Sequence, residues 1–424
     1  MDTKLQEQQK RYAEVIVKIG INLQPGQSLR IGAELEHCEF VRLVSAIAYQ
    51  NGARYVHVEW VDPPMARDRL QYSQPENLDF FPAYEVARHQ EMLDDHWARL
   101  ALVGPGFPNI FEQVDPGLMR RVAAVRAQKV KFYTRAVMAN QLQWCVAAVP
   151  TAAWATQVFP ALATDEAVAK LWPVILQMAR VDQPDPLAAW RQHDRNLKRV
   201  AEFMAREQVR AIRYLDPTLG ADGKANIDLT VGLTARPIWI GGSSYTPGGV
   251  EFQPNMPTEE VFTTPHNQQA EGWVRTSKPA FPFARKVSDA YFRFVQGEVV
   301  EFQAATGQAV LEQFFQIPGA RRLGEISLVD ERSPVNQSGL TFYETLFDEN
   351  AVCHIAFGKA YPEGLEGSAA LSQEALRAAG VNESDTHVDF MIGTSTLQVN
   401  GICLDGREVA IMRQGRFTTE VVGE

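Results

Sequence analysis

The sequence contains few cysteines, and they are not grouped. Four occur among 424 residues, and none of them form a CxxC pair. This scarcity excludes the small secreted classes that depend on a disulfide framework, and it favours reduced thiols. The first residues, from Met1 to Glu7, are polar and lack the apolar core of a signal peptide. We therefore expect a cytoplasmic protein.

Long apolar runs and a basic surplus are also missing. The most apolar stretch, residues 144–155, is shorter than the roughly 20 residues that a membrane-spanning helix needs. Lys and Arg number 41 against 51 Asp and Glu, a formal net charge of −10, whereas a general nucleic-acid binder normally carries a basic face. Neither a GxGxxG motif nor a P-loop supports a nucleotide site. We expect no nucleic-acid partner and no membrane partner.

Length and patterning predict two domains, because 424 residues exceed one typical core. The first half alternates helical and strand-like segments, which favours an α/β domain with a largely parallel sheet. From about residue 210 strands and hairpins dominate, with turns predicted at Asn400-Gly401 and Asp405-Gly406. We predict an N-terminal α/β domain over 1–208 and a β-rich α+β catalytic domain over 209–424. The predicted helices include 5–19, 41–51, 116–130, 164–180, 186–207 and 307–317.

Two histidine-containing segments carry the chemical signal. His387 and Asp389 are two residues apart in a strand-like run, so their side chains would project from the same face. Imidazole and carboxylate groups are common ligands of zinc, cobalt and manganese. His354 lies in a second apolar run. Spacing alone leaves two interpretations open: these residues are either metal ligands or purely structural. The structural interpretation stays open because an Asp can simply orient a His, and a lone His can be a hydrogen-bonded core residue.

Glutamates near the starts of predicted strands could complete such a site. Glu259 and Glu260 precede a short β run, and only one of two adjacent strand residues can face the site. Glu325 begins another strand. Each of these residues also fits a solvated surface acid.

Taken together, these segments resemble the family of aminopeptidase T, aminopeptidase S and PepS, the dinuclear metallo-aminopeptidases of bacteria. The similarity extends over most of the chain, and several long motifs occur in the same order. It is strongest over residues 228–233, 255–265, 320–328, 345–358 and 387–393.

The resemblance implies a ligand set of two glutamates, two histidines and one aspartate for two divalent metal ions per subunit, which could be zinc, cobalt, manganese or magnesium. It also implies that Tyr361, shortly after the HIAFG motif, takes part in catalysis. The general base stays open between Glu259 and Glu349. The implied metal ligands are Glu260, Glu325, His354, His387 and Asp389.

The function implied by this resemblance is release of N-terminal amino acids from short peptides by a metal-bound hydroxide. A free N-terminus on the substrate and a homodimeric enzyme are further expectations. Three alternatives remain at this point: another metal-dependent hydrolase such as an amidase or dipeptidase, an α/β protein that binds a small ligand, and a non-catalytic relative.

Overall fold

The computed structural model of the chain describes residues 3–220 and 222–423. It divides into two compact units, one formed by Met1–Arg191 with Ser243–Pro257 and the other by Gln192–Gly242 with Thr258–Glu424. The predicted α/β class is confirmed, with a parallel sheet in the first unit and antiparallel sheets in the second. The predicted boundary between residues 208 and 209 stays a prediction. No helix formed by the described residues is long and apolar enough to span a bilayer.

The first unit contains a five-stranded sheet whose neighbouring strands are all parallel. In spatial order its strands are Asn255–Met256, Trp144–Ala148, Ala98–Val103, Ser28–Glu34 and Tyr55–Val61. A two-stranded ribbon pairs Ser244–Tyr245 with Glu251–Phe252. The helices in this part of the chain are Thr3–Val15 (continuing as a π-helical turn over Ile16–Gly20), Cys38–Gln50, Pro63–Tyr72, Ala83–Asp94, Pro116–Lys129, Lys131–Met138, Ala152–Val158, Thr164–Met178 and Pro186–Arg206.

The predicted amphipathic helices of this half form close to their expected bounds. Those predicted over 116–130, 164–180 and 186–207 appear as Pro116–Lys129, Thr164–Met178 and Pro186–Arg206.

The second unit contains two antiparallel sheets. The strands of the larger sheet, in spatial order, are Glu298–Thr306, Ser288–Val295, Pro265–Arg275, Ala225–Leu233, Val209–Leu219, Gln398–Cys403, Glu408–Arg413 and Arg416–Phe417. Those of the smaller sheet are His387–Met391, His354–Gly358, Leu323–Val329, Glu260–Thr263 and Ile240–Gly241. The helices are Gln308–Phe314, Pro334–Gln337, Thr345–Asp348, Gln373–Ala378 and Thr419–Val422.

The two sheets of the second unit pack against one another through a shared aromatic core. The ring of Phe292, in the larger sheet, lies with its centroid 4.9 Å from that of Phe357 and 5.2 Å from that of Phe390, both in the smaller sheet. All three side chains are fully buried. Aromatic packing of this kind contributes through both buried area and edge-to-face contact, so it holds the smaller sheet in a fixed position.

The hairpin predicted at Asn400-Gly401 is wrong. Both residues lie inside the Gln398–Cys403 strand, which is paired on both sides. A Cβ atom on Gly401 would lie 3.0 Å from side-chain atoms of Val209 and Ile411, so the glycine permits close packing and does not form a turn. The turn predicted at Asp405-Gly406 is confirmed, since it precedes the Glu408–Arg413 strand and Gly406 has a φ of 84°.

Candidate metal centre

The smaller sheet of the second unit brings two of the predicted site residues, Glu325 and Asp389, into one row with Ala356 between them. Glu325 pairs with Ala356, and Ala356 pairs with Asp389 on the next strand. Directly paired residues point to the same face of a sheet. The two carboxylates therefore flank a residue whose side chain is only a methyl group, which leaves space between them.

The remaining predicted ligands lie on this same face. His354 pairs with Ser327, two residues from Glu325, and His387 is two residues from Asp389. On the next strand, Phe262 also pairs with Ser327 and therefore points to this face. Glu260 lies two residues before Phe262 on the same strand, so its side chain points to this face as well. The register of four adjacent strands thus gathers side chains that are far apart in the sequence.

The opposite face of this sheet is apolar and anchors the strands. Ile326, Ile355, Phe357 and Phe390 alternate with the polar positions and are all fully buried in the core of the second unit. Because the side-chain period of a strand is two, a one-residue slip would bring the acids into that core. The buried face therefore fixes which residues form the site.

Glu325 lies between the two histidines. Its Oε1 atom is 3.5 Å from Nε2 of His354, and its Oε2 atom is 3.5 Å from Nε2 of His387. A carboxylate with one oxygen directed to each imidazole can act as a metal ligand together with either histidine.

Each histidine also faces a second carboxylate. Nε2 of His354 is 3.3 Å from Oε2 of Glu260, and Nε2 of His387 is 3.4 Å from Oδ1 of Asp389. The ligand atoms of Glu260, Glu325 and His354 all lie within 4.8 Å of one another, close enough to surround one ion.

Both imidazole rings are oriented by backbone carbonyls. In the tautomer that carries a proton on Nδ1, His387 donates to the carbonyl of Lys359 at 2.7 Å, and His354 lies 3.3 Å from that of Val352. Such a bond fixes the tautomer and leaves Nε2 available as a ligand.

The two adjacent glutamates face different partners. Glu260 accepts a hydrogen bond from the Ser327 hydroxyl at 2.7 Å, on the face that carries the histidines. The carboxylate of Glu259 lies 3.6 Å from Nε2 of His193, and its backbone N–H donates to Asn350. The structure therefore brings Glu260 into the cluster and turns Glu259 toward His193.

Tyr361 and Glu349 complete the surroundings. The ring centroid of Tyr361 lies 4.8 Å from that of His387. Burial, followed by the negative charges of Glu325 and Asp389, raises the pKa of Tyr361, so its hydroxyl remains protonated. Burial likewise raises the pKa of Glu349, and the nearby charges of Glu260 and Asp389 add to the increase.

The cluster contains more carboxyl groups than imidazoles that could balance their charge. Burial raises the pKa of Glu325 to about 7, with Glu260 adding to the increase and the hydrogen bond to His354 opposing it. Four carboxylates, those of Glu260, Glu325, Glu349 and Asp389, surround only two imidazoles. Buried like charges are costly unless a cation compensates them. Carboxylate oxygens and imidazole nitrogens suit divalent ions, so the residues present fit a metal.

Sequence reasoning missed Ser327, which holds Glu260 in place. The signal that could have found it is its position two residues after Glu325 on the same strand, which places both side chains on one face.

Comparisons with known proteins identify the family of the chain. Residues 5–417 match the family model described as thermophilic metalloprotease (M29). The chain is 39% identical to aminopeptidase 2 of Geobacillus stearothermophilus, over 97% of this chain and 98% of that protein. It is 39% identical to aminopeptidase T of Thermus thermophilus, over 96% and 98% of the two chains. The solved structure of wild-type AmpT from Thermus thermophilus matches with a TM-score of 0.88 and 37% identity, covering 97% of this chain and 99% of that one.

Proposed function

This chain belongs to the peptidase M29 family of metalloproteases, and we propose that it is a metal-dependent aminopeptidase that removes N-terminal residues from short peptides. The observation that carries the proposal is the position of Glu325, with one carboxylate oxygen directed to each of two histidines. Its relatives named aminopeptidase match over nearly their whole length, which supports the same reaction here.

We assign the ligands of two divalent ions to this cluster. Glu260 and His354 would hold one ion, His387 and Asp389 would hold the other, and Glu325, which lies between the two histidines, would be shared by both. Zinc, cobalt, manganese and magnesium are the candidate metals. When bound, such a pair supplies an activated water and polarises the scissile carbonyl.

Tyr361 is assigned to stabilise the reacting carbonyl. Its hydroxyl stays protonated and its ring lies against His387, so it can donate a hydrogen bond to the oxygen on which negative charge develops. A donor already in place stabilises that charge without reorganisation.

Glu349 is assigned to move the proton to the leaving amine. It lies among the carboxylates of the cluster, whereas the other candidate base, Glu259, is directed to His193. A general base must be able to reach the proton that it transfers.

The oligomeric state and location belong to the same proposal. The family resemblance implies a homodimer, and the cysteine usage and polar N-terminus of the sequence favour the cytoplasm. Sedimentation equilibrium of the purified chain tests the oligomeric state, and fractionation of the native host tests the location.

The activity is tested with a leucine or arginine arylamide. A chelator should abolish hydrolysis, and cobalt, zinc or manganese should restore it. Equal activity of chelated and metal-loaded protein would contradict the proposal. A peptide with a free N-terminus should be cleaved and its acetylated form should not, since cleavage of both would instead indicate an amidase.

A further inference from the structure

A second cluster of charged side chains lies in the first unit, on one face of the parallel sheet. Arg30 pairs with His57 on one neighbouring strand and with Arg99 on the other, and Gly32 pairs with Glu59. These side chains therefore share a face. Parallel sheets are usually apolar on both faces, so a row of ionisable groups here calls for a chemical role.

Gly32, which has no side chain, leaves room for this row of charged side chains. A Cβ atom there would lie 3.2 Å from Nη1 and 3.4 Å from Cζ of Arg30, so the guanidinium extends across the glycine. Glu59 Oε2 accepts hydrogen bonds from Nε and Nη2 of Arg30 at 3.1 and 2.8 Å, and from Nη2 of Arg88 at 2.9 Å. One carboxylate oxygen thus serves two arginines.

The positive charge of the cluster exceeds its negative charge. Arg88 also pairs with Glu85, and Nη2 of Arg126 lies 3.9 Å from Oε1 of Glu59. Four arginines, at positions 30, 88, 99 and 126, therefore face two glutamates, at positions 59 and 85, which leaves a formal surplus of two positive charges.

Several hydrogen-bond donors of the cluster have no acceptor. Among the described residues, the buried Tyr133 hydroxyl and Nε of Arg88 lack any partner, and the guanidinium of Arg99 forms no hydrogen bond or ion pair. Tyr133 is only 6% exposed. Buried donors in native proteins are nearly always satisfied, so the Tyr133 hydroxyl and Nε of Arg88 require an explanation.

The ionisation of neighbouring groups reflects the same positive field. Burial lowers the pKa of Arg99, and the charge of Arg30 lowers it further. Burial also lowers the pKa of His57, and the charge of Arg88 adds to the decrease. His57 accepts a hydrogen bond from Arg88 at its Nε2 atom, as a neutral imidazole can.

We propose that Arg30, Arg88, Arg99 and Tyr133 bind a phosphate dianion, either inorganic phosphate or the phosphate group of a small metabolite. Two negative charges match the formal surplus, whereas a monocarboxylate would leave one positive charge unbalanced. Guanidinium groups donate in a fork that fits phosphate oxygens. The side chains of Arg88 and Arg126 are 22% and 49% exposed, so part of the cluster faces solvent. None of these residues belongs to the metal centre.

Calorimetric titration of the full-length, metal-loaded enzyme tests the proposal, with inorganic phosphate and phenyl phosphate titrated separately at constant ionic strength. Saturable binding of at least one of them is expected, and the tighter ligand identifies the source. Because phosphate also binds metal ions, the titration is repeated on Glu325→Gln. Binding that persists in this variant supports the first-unit site, and binding that disappears with the metal overturns it.

Three further variants locate the site. Arg99→Gln should weaken phosphate binding about tenfold or more, and Tyr133→Phe, which removes only the hydroxyl, should weaken it a few-fold. Arg121→Gln is the matched control, because Arg121 is on the same helix as Arg126 but pairs with Asp79 outside the cluster. Equal affinity in Arg99→Gln and Arg121→Gln would overturn the proposal. If Arg99→Gln does not fold, unchanged affinity in a folded Tyr133→Phe variant has the same consequence.

Discussion

The two charged clusters of this protein have a common construction and opposite charge. Each lies on one face of a sheet, and a residue with little or no side chain gives its charged groups room, Ala356 in the second unit and Gly32 in the first. In the second unit carboxylates outnumber imidazoles, whereas in the first unit arginines outnumber glutamates. Because an unbalanced buried charge is costly, the sign of the surplus identifies the kind of ion that each cluster can bind.

Another carboxylate of the second unit, Asp216, is stabilised by protein hydrogen-bond donors alone. Asp216 accepts hydrogen bonds from the backbone N–H of Thr218 at 3.0 Å and from the hydroxyls of Thr394 and Thr396, both at 2.8 Å. Burial opposes its charged form, but these bonds outweigh the effect and lower the pKa of Asp216. The carboxylates of the metal cluster have fewer such donors of their own.

The largest effect that would test this comparison of the two clusters is expected from removing a histidine of the candidate metal centre. His354→Ala should reduce kcat/KM by about 10³-fold or more, because the metals supply several kcal/mol of transition-state stabilisation. Metal analysis should show less bound metal. His96→Asn is a suitable control, since His96 is exposed in the first unit and asparagine tolerates its positive φ of 49°. If metal-depleted His354→Ala kept full activity, the second-unit cluster would not be a catalytic cation site, and the contrast with the first-unit cluster would be wrong.

The next effect concerns Tyr361. Tyr361→Phe should lower kcat by about 10²-fold while metal content stays constant, because it removes a single hydrogen-bond donor to the developing charge. Kinetics and metal analysis on the same preparation measure both quantities. Loss of metal together with activity would assign the residue a structural role.

The choice between two adjacent acids sharpens the comparison further. Glu260→Gln should weaken metal affinity by more than the roughly 10–100-fold that is typical of groups that only orient a metal ligand, because it removes the charge of a direct ligand. Glu259→Gln is the matched variant and should retain its metal, because that carboxylate faces His193. The reverse result would show that the strand presents the other acid to the ions.

The smallest expected effect concerns Asp216, the carboxylate with its own donors. Asp216→Asn should lower the free energy of unfolding at pH 7 by about 1–2 kcal/mol. A lowered pKa means that the stabilisation is present above the unfolded-state pKa of about 3.9 and is lost as the pH falls through the folded-state value. Denaturant unfolding measures the free energy of unfolding of variant and parent at each pH. The difference between the two should be smaller at pH 3 than at pH 7. A constant difference would mean that packing, and not charge, explains the loss.

Much of the candidate site was predictable because its residues occur in long ordered motifs. The resemblance to the family of aminopeptidase T, aminopeptidase S and PepS is confirmed by the match over residues 5–417. The metal-ligand assignments stay predictions, although the structure brings all five side chains together.

The first-unit cluster was not predictable in this way. Arg30, Glu59 and Arg99 are separated by dozens of residues, and each one alone resembles an ordinary surface charge. They meet only because three parallel strands align them in register.

The sequence by itself determined the local patterns: which residues alternate along a strand, which segments form amphipathic helices, and which motifs the chain shares with a family. These follow from the fixed periods of the backbone and can be read over a few residues. The tertiary structure decided which strands become neighbours and in which register. That is why it turns Glu260 and not Glu259 toward His354, keeps Asn400-Gly401 inside a strand, and gathers four arginines around two glutamates. Register between strands depends on packing of the whole core, so it is not encoded in any single segment.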